Sequence, residues 1–132
     1  MKTLYLNGCT GLENTAALAD LVKLELLNLS GCIGLKGAAA LAGLKNLRVL
    51  QVLFLADCSW LEDTAALAGM VNLIYLNMKN CTVLKRASAF EGLKNLPAMR
   101  MLNLYGCVGL KPEDVHELKK HLPPGCQVIG CR

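Results

Sequence analysis

The sequence predicts an α/β solenoid, a stack of strand–helix units with a parallel sheet on one side and helices on the other. Two observations carry that expectation. Cysteines recur at a nearly fixed spacing with leucines at fixed offsets around them, and each unit switches from a two-residue to a three- or four-residue apolar period. A third observation, a copy of the pattern displaced by 49 residues, groups the units in pairs.

The seven cysteines stand at 9, 32, 58, 81, 107, 126 and 131. From Cys9 the steps to Cys32, Cys58, Cys81 and Cys107 are 23, 26, 23 and 26 residues, and a further 24 leads to Cys131. Each of the first five is followed three positions later by Leu12, Leu35, Leu61, Leu84 or Leu110. Each is preceded by an apolar pair: Leu4/Leu6, Leu27/Leu29, Leu53/Leu55, Leu76/Met78 and Leu102/Leu104. Cys131 follows Cys126/Val128 in the same offsets, which assigns Cys126 to a strand-leucine position. At 49 residues "GLENTAALADLVKL" pairs with "WLEDTAALAGMVNL", and "GLKGAAALAGLKNL" pairs with "VLKRASAFEGLKNL". The unit of repetition is therefore a short repeat followed by a long one, the long one carrying three extra residues after "GLKNL".

Within one repeat, Leu27 and Leu29 face one way while Leu26, Asn28 and Ser30 face the other, which is a short strand. After Cys32 the apolar residues Leu35, Ala40, Leu41, Leu44 and Leu47 fall mostly at helical steps, and "AAALAGL" is strong helix-forming material. Asn14-Thr15 and Asp63-Thr64 stand where N-caps are wanted, and Pro112 before Glu113 and Asp114 reads as a first helical turn. Asn46 and Asn95 suit the turn back to the next strand. One such unit cannot bury its own apolar face, whereas stacked neighbours can, with strands about 4.8 Å apart. In that stack the leucines fill a shared core and the cysteine is buried at the bend where strand gives way to helix.

L-x-x-L-x-L-x-x-C-x-x-L, here Leu24, Leu27, Leu29, Cys32 and Leu35, resembles the leucine-rich repeat in its cysteine-containing form. The resemblance covers five full copies and a partial sixth. It implies that residues 1–132 form one leucine-rich-repeat domain, a horseshoe with a parallel concave sheet and outer helices, or a fragment of a longer array. The wording is also similar to repeats in large leucine-rich-repeat proteins of kinetoplastid parasites. The cysteine-containing form implies substrate recognition in F-box-type ubiquitin-ligase receptors. This chain departs from those receptors in lacking an F-box-like helical segment and a second cysteine in the helical half of the repeat.

The outward strand residues are expected to form the concave surface in three columns. The first is Thr3, Leu26, Val52, Tyr75 and Met101; the second is Tyr5, Asn28, Phe54, Asn77, Asn103 and Gln127; the third is Asn7, Ser30, Ala56, Lys79, Tyr105 and Ile129. Lys79 is their only charge, and all three tyrosines and one of the two phenylalanines lie there. An aromatic-rich, charge-poor face is suited to a protein partner. The candidate contact residues are Tyr5, Asn28, Phe54, Tyr75, Asn77, Lys79, Asn103 and Tyr105. The competing view is that Leu26, Val52 and Met101 are simply strand formers on a tolerated apolar face. Elsewhere, Glu13, Lys36, Glu62, Lys85 and Lys111 follow the bend leucines, so a charge ladder is expected across the first four repeats.

The remaining features argue against other classes. A net charge of +4 on 132 residues, with Lys85-Arg86 and Lys119-Lys120 lacking an aromatic platform, is no nucleic-acid footprint. No apolar run approaches the ~18 residues of a membrane span. His116, His121, Cys126 and Cys131 are the right atoms for zinc, but the histidines are five apart, off one helical face, so no metal is expected. No phosphate loop, carboxylate pair or activated nucleophile is visible, so neither a cofactor nor an enzyme is expected. Equivalent cysteines on parallel strands lie side by side rather than facing, which favours free thiols and an intracellular setting. The first repeat begins at Leu4 without a polar cap. That leaves three readings: the tail of a longer repeat protein, self-association through the open N-terminal end, or a structural or engineered array without a native ligand.

Overall fold

The computed structural model describes residues 1–36 and 38–130. Cys131, assigned above to a repeat position, lies outside the described residues. Six strands, β1 (Thr3–Tyr5), β2 (Leu26–Asn28), β3 (Val52–Phe54), β4 (Tyr75–Asn77), β5 (Met101–Asn103) and β6 (Gln127–Ile129), form one parallel sheet in sequence order. Chain order equals sheet order because each unit climbs by one strand and returns through an outer limb. The core lies between sheet and limbs: Leu24, Leu27, Leu29, Leu35, Leu44, Leu47 and Leu50 have no exposed surface, and Leu53, Leu55, Leu73, Leu76 and Leu84 repeat the arrangement one and two units on. This is the shared leucine core that the offsets predicted.

The outer limbs differ from the helices expected. Four of them are 3-10 segments, Ala16–Leu18, Ala38–Leu44, Ala65–Leu67 and Ala87–Leu93, and only α1 (Pro112–Lys119) is α-helical. The reason is thickness. Packed α-helices sit 8–10 Å apart, roughly twice the strand spacing, so consecutive α-limbs would splay the stack. The tighter 3-10 coil, with its 2.0 Å rise, covers the return path in a narrower cylinder. Alanine-rich sequence permits this because it imposes no bulk of its own.

The threonines expected as caps also do something else. Asn14 Oδ1 and Asp63 Oδ1 accept from the backbone N–H of Ala16 and Ala65 at 2.9 and 3.0 Å, closing the limb starts. Thr15 and Thr64 are instead fully buried. Thr15 Oγ1 donates to the Ala40 carbonyl at 2.8 Å and accepts from the Gly43 N–H at 3.0 Å, both in the next repeat. Thr64 Oγ1 donates to the Ala89 carbonyl at 2.9 Å. Opposite each threonine stands a glycine, Gly43 or Gly92, so close that a Cβ would collide with the carbonyl of Thr15 or Thr64. Short and long repeats are therefore clamped together, which gives the 49-residue pairing a physical basis.

At the strand-to-limb bend the residue before each core cysteine holds a left-handed backbone: Gly8, Gly31, Asp57, Asn80 and Gly106, with φ between 59° and 80°. Glycine, asparagine and aspartate are the residues that adopt it at least cost. The bend turns each thiol toward the preceding strand. Cys32, Cys58, Cys81 and Cys107 donate to the carbonyls of Leu6, Leu29, Leu55 and Met78 at 3.0, 3.6, 3.1 and 3.0 Å.

The sixth strand corrects the cysteine arithmetic. Met101 pairs with Gln127, Leu102 with Val128 and Asn103 with Ile129. Gln127 thus belongs to the first outward column and Ile129 to the second, two residues from the places the cysteine offset assigned. Val128 takes the first strand-leucine place, and Cys126 lies just before the strand. An α-helix rises only 1.5 Å per residue, so the α1 limb uses more residues than a 3-10 limb before its strand can start.

The clamp predicts that Gly43→Ala and Gly92→Ala each lower stability by about 1–3 kcal/mol in urea titrations, the usual cost of forcing volume into a packed site. Gly11→Ala, where a Cβ would meet nothing within 4 Å, changes it by no more than about 0.5 kcal/mol. Thr15→Val, which leaves the Gly43 N–H without its acceptor, is expected to cost about 1–3 kcal/mol.

Candidate partner-binding face

The strand register sets which outward side chains meet. Along the first column run Thr3, Leu26, Val52, Tyr75, Met101 and Gln127, and along the second Tyr5, Asn28, Phe54, Asn77, Asn103 and Ile129. Diagonal neighbours Phe54 and Tyr75 make an edge-to-face pair with ring centroids 5.5 Å apart and planes at 74°. One step beyond the strands, the Lys79 ammonium lies 5.8 Å from the centre of the Tyr105 ring. Tyr105 is exposed, and Tyr5 at the far side of the sheet is 62% exposed. The structure thus gathers Phe54, Tyr75, Lys79 and Tyr105 on β3 to β5, with Tyr5 apart from them on β1.

The asparagines have a structural task as well. Asn28, Asn77 and Asn103 each accept, through Oδ1, the backbone N–H two residues on, from Ser30, Lys79 and Tyr105, at 2.9, 2.9 and 3.0 Å. These turns end the strands and leave each Nδ2 group to donate outward. Phe54 occupies the same column but has no acceptor. There the Ala56 N–H bonds instead to Ser30 Oγ of the preceding repeat at 3.0 Å. A serine one repeat upstream thus lets an aromatic ring replace an asparagine.

The expected charge ladder is not made by direct contact. The ion pairs among the described residues are Lys94–Glu91, Lys120–Glu117 and His121–Glu117, and none joins Glu13, Lys36, Glu62, Lys85 or Lys111. Repeat spacing aligned these charges, but exposed side chains gain too little from pairing in water to be held there. His121 Nε2 lies 3.6 Å from Glu117 Oε2, one helical turn back on the same limb. Lys120 and His121 together hold the Glu117 carboxyl below its usual range, chiefly through the Lys120 hydrogen bond.

Cys9, Cys32, Cys58, Cys81, Cys107 and Cys126 are free thiols. Burial pushes Cys58 up from 9.0 to about 12, against the opposing effect of the Gly31 and Cys32 N–H groups. Burial pushes Cys81 up further, and Cys32 and Cys126 in the same direction. A thiol that resists deprotonation is a poor nucleophile. Sequence reasoning passed over Trp60, whose Nε1 donates to the Cys32 carbonyl at 2.9 Å. The available signal was the replacement of Gly11 by a tryptophan at the matching place 49 residues on.

Among the described residues no helix is long and apolar enough to cross a membrane. No family model matches the chain, and no curated protein matches it. Among solved structures it is similar to an internalin of Listeria monocytogenes, with a TM-score of 0.61 and 20% identity over 99% of this chain. The chain spans 35% of that protein's length.

Two outcomes follow for the thiols. Alkylation of the folded protein near neutral pH labels half-buried Cys9 well before Cys58 or Cys81, as read by peptide mass spectrometry. The folded state keeps its buried thiols protonated above the pH at which the unfolded chain loses those protons. Stability is thus full below about pH 8.5 and falls as pH rises toward 12, where Cys58 itself titrates, a decline that urea titrations at stepped alkaline pH measure. Strand order, leucine core and overall likeness together identify the fold as a leucine-rich-repeat solenoid.

Proposed function

We propose that this chain is a non-enzymatic protein-interaction module that binds its partner through the concave sheet, centred on Phe54, Tyr75, Lys79 and Tyr105. The observation that carries this reading is the contiguity of an edge-to-face aromatic pair and a lysine–tyrosine pair on neighbouring strands of a face with one charge in its columns. Such rings supply contact area with little side-chain entropy to lose, and they dominate measured contact energies. Asn28, Asn77 and Asn103 add a row of amide donors whose positions are fixed by their turn bonds. Tyr5 extends the surface toward β1. The free thiols support a reducing, intracellular setting for this activity.

The test is affinity capture from a cell extract followed by direct titration of the captured protein. The bait is compared with a variant carrying Tyr5→Ser, Phe54→Ser, Tyr75→Ser and Tyr105→Ser, first shown to keep its cooperative unfolding transition. Each central ring is expected to contribute about 1–2 kcal/mol, so the variant loses its partner by at least ~100-fold. A partner retained equally by both baits removes the concave assignment.

A further inference from the structure

The clamped seams between short and long repeats have a counterpart. Where a long repeat meets the next short one, no threonine–glycine clamp closes the outer surface, and a groove opens at each such seam. The first lies between the limbs of the second and third repeats, about 410 Å³, lined by Leu41, Ala42, Lys45, Trp60, Leu61, Glu62, Asp63, Ala65 and Ala66. The second, between the fourth and fifth repeats, is only about 160 Å³.

The two differ in their charges. In the smaller groove Glu91 is held by Lys94 at 2.8 Å and Glu117 by His121 at 3.6 Å, so its charges are satisfied internally. In the larger one, neither Glu62 nor Lys45 has an ion-pair partner among the described residues, although both line the same space. Asp63 commits one oxygen to the Ala65 N–H at 3.0 Å and keeps the other. Trp60 is held in place by its bond to the Cys32 carbonyl. An aromatic ring fixed beside two carboxylates is the chemistry that recognises an organic cation.

We propose that this groove is a second binding site, independent of the concave sheet, which takes an arginine side chain carried on an apolar segment of a partner protein. Arginine fits because its planar guanidinium stacks on a ring and bonds a carboxylate with two N–H groups at once. Leu41, Leu61, Ala65 and Ala66 take the apolar flanks, and the volume suits one long side chain and its neighbours. Lys45 on the opposite wall opposes the cation and sets the sign of a control.

Trp60 is the only tryptophan in the chain, so its fluorescence reports this groove alone. The probe is the capped tripeptide Leu-Arg-Leu, compared with Leu-citrulline-Leu, which keeps the shape and loses the charge. Titrated to about 10 mM, the arginine peptide is expected to give a saturable change and the citrulline peptide to bind at least ~5-fold more weakly. Glu62→Gln weakens arginine binding ~3- to 10-fold, and Lys45→Met tightens it ~2-fold. Both residues are exposed, and circular dichroism verifies that the variants fold. No saturable change with the arginine peptide, equal binding of the citrulline peptide, or an unchanged response in Glu62→Gln overturns the site.

Discussion

Parallel strands about 4.8 Å apart set the thickness of everything else in this molecule. Each repeat has to leave the sheet, return, and start its next strand one spacing higher, in register. That constraint selects 3-10 limbs over α-helices wherever another limb must stack on either side. It also accounts for the left-handed residue at every bend, since the chain must reverse inside one strand's thickness. The cysteines belong to the same constraint. A buried residue at the bend must be small, and a thiol can still donate to the carbonyl of the strand below.

The stack was legible because its core is made of one residue type at fixed offsets. Leu27, Leu29, Cys32 and Leu35 carry both the alternation of a strand and the change of period after it, and every later unit repeats the test. Limb type was not legible. "AAALAGL" favours a helix locally, and the spacing of neighbouring strands, a tertiary quantity, decides which helix. The role of Thr15 and Thr64 was hidden for a related reason. An N-cap and a bridge to the next repeat ask for the same hydroxyl, and only the approach of Gly43 and Gly92 distinguishes them. The last register failed at Cys126 because cysteine position stood in for strand position across a limb of different rise.

On the concave face the columns were readable for the first five strands, since strand alternation alone fixes which residues point outward. The contacts within the face needed geometry. Phe54 and Tyr75 are 21 positions apart, and their pairing depends on β3 and β4 matching Val52 with Tyr75. The dependence of Ala56 on Ser30 shows how such a surface varies without loss of the fold. An aromatic ring replaces the strand-ending asparagine where a neighbouring repeat supplies the acceptor.

The alternation of clamped and open seams also has a mechanical meaning. Phe54 and Tyr75 belong to the third and fourth repeats, which Thr64 and Gly92 lock together, so their edge-to-face geometry rides on a stiff block. Lys79 and Tyr105 belong to the fourth and fifth repeats, on either side of an unclamped seam, so the distance between them changes when the stack flexes. The concave surface is thus divided into a preset die and an articulated jaw. A partner seated on the aromatic pair can draw the lysine–tyrosine pair closed around itself without disturbing the core beneath.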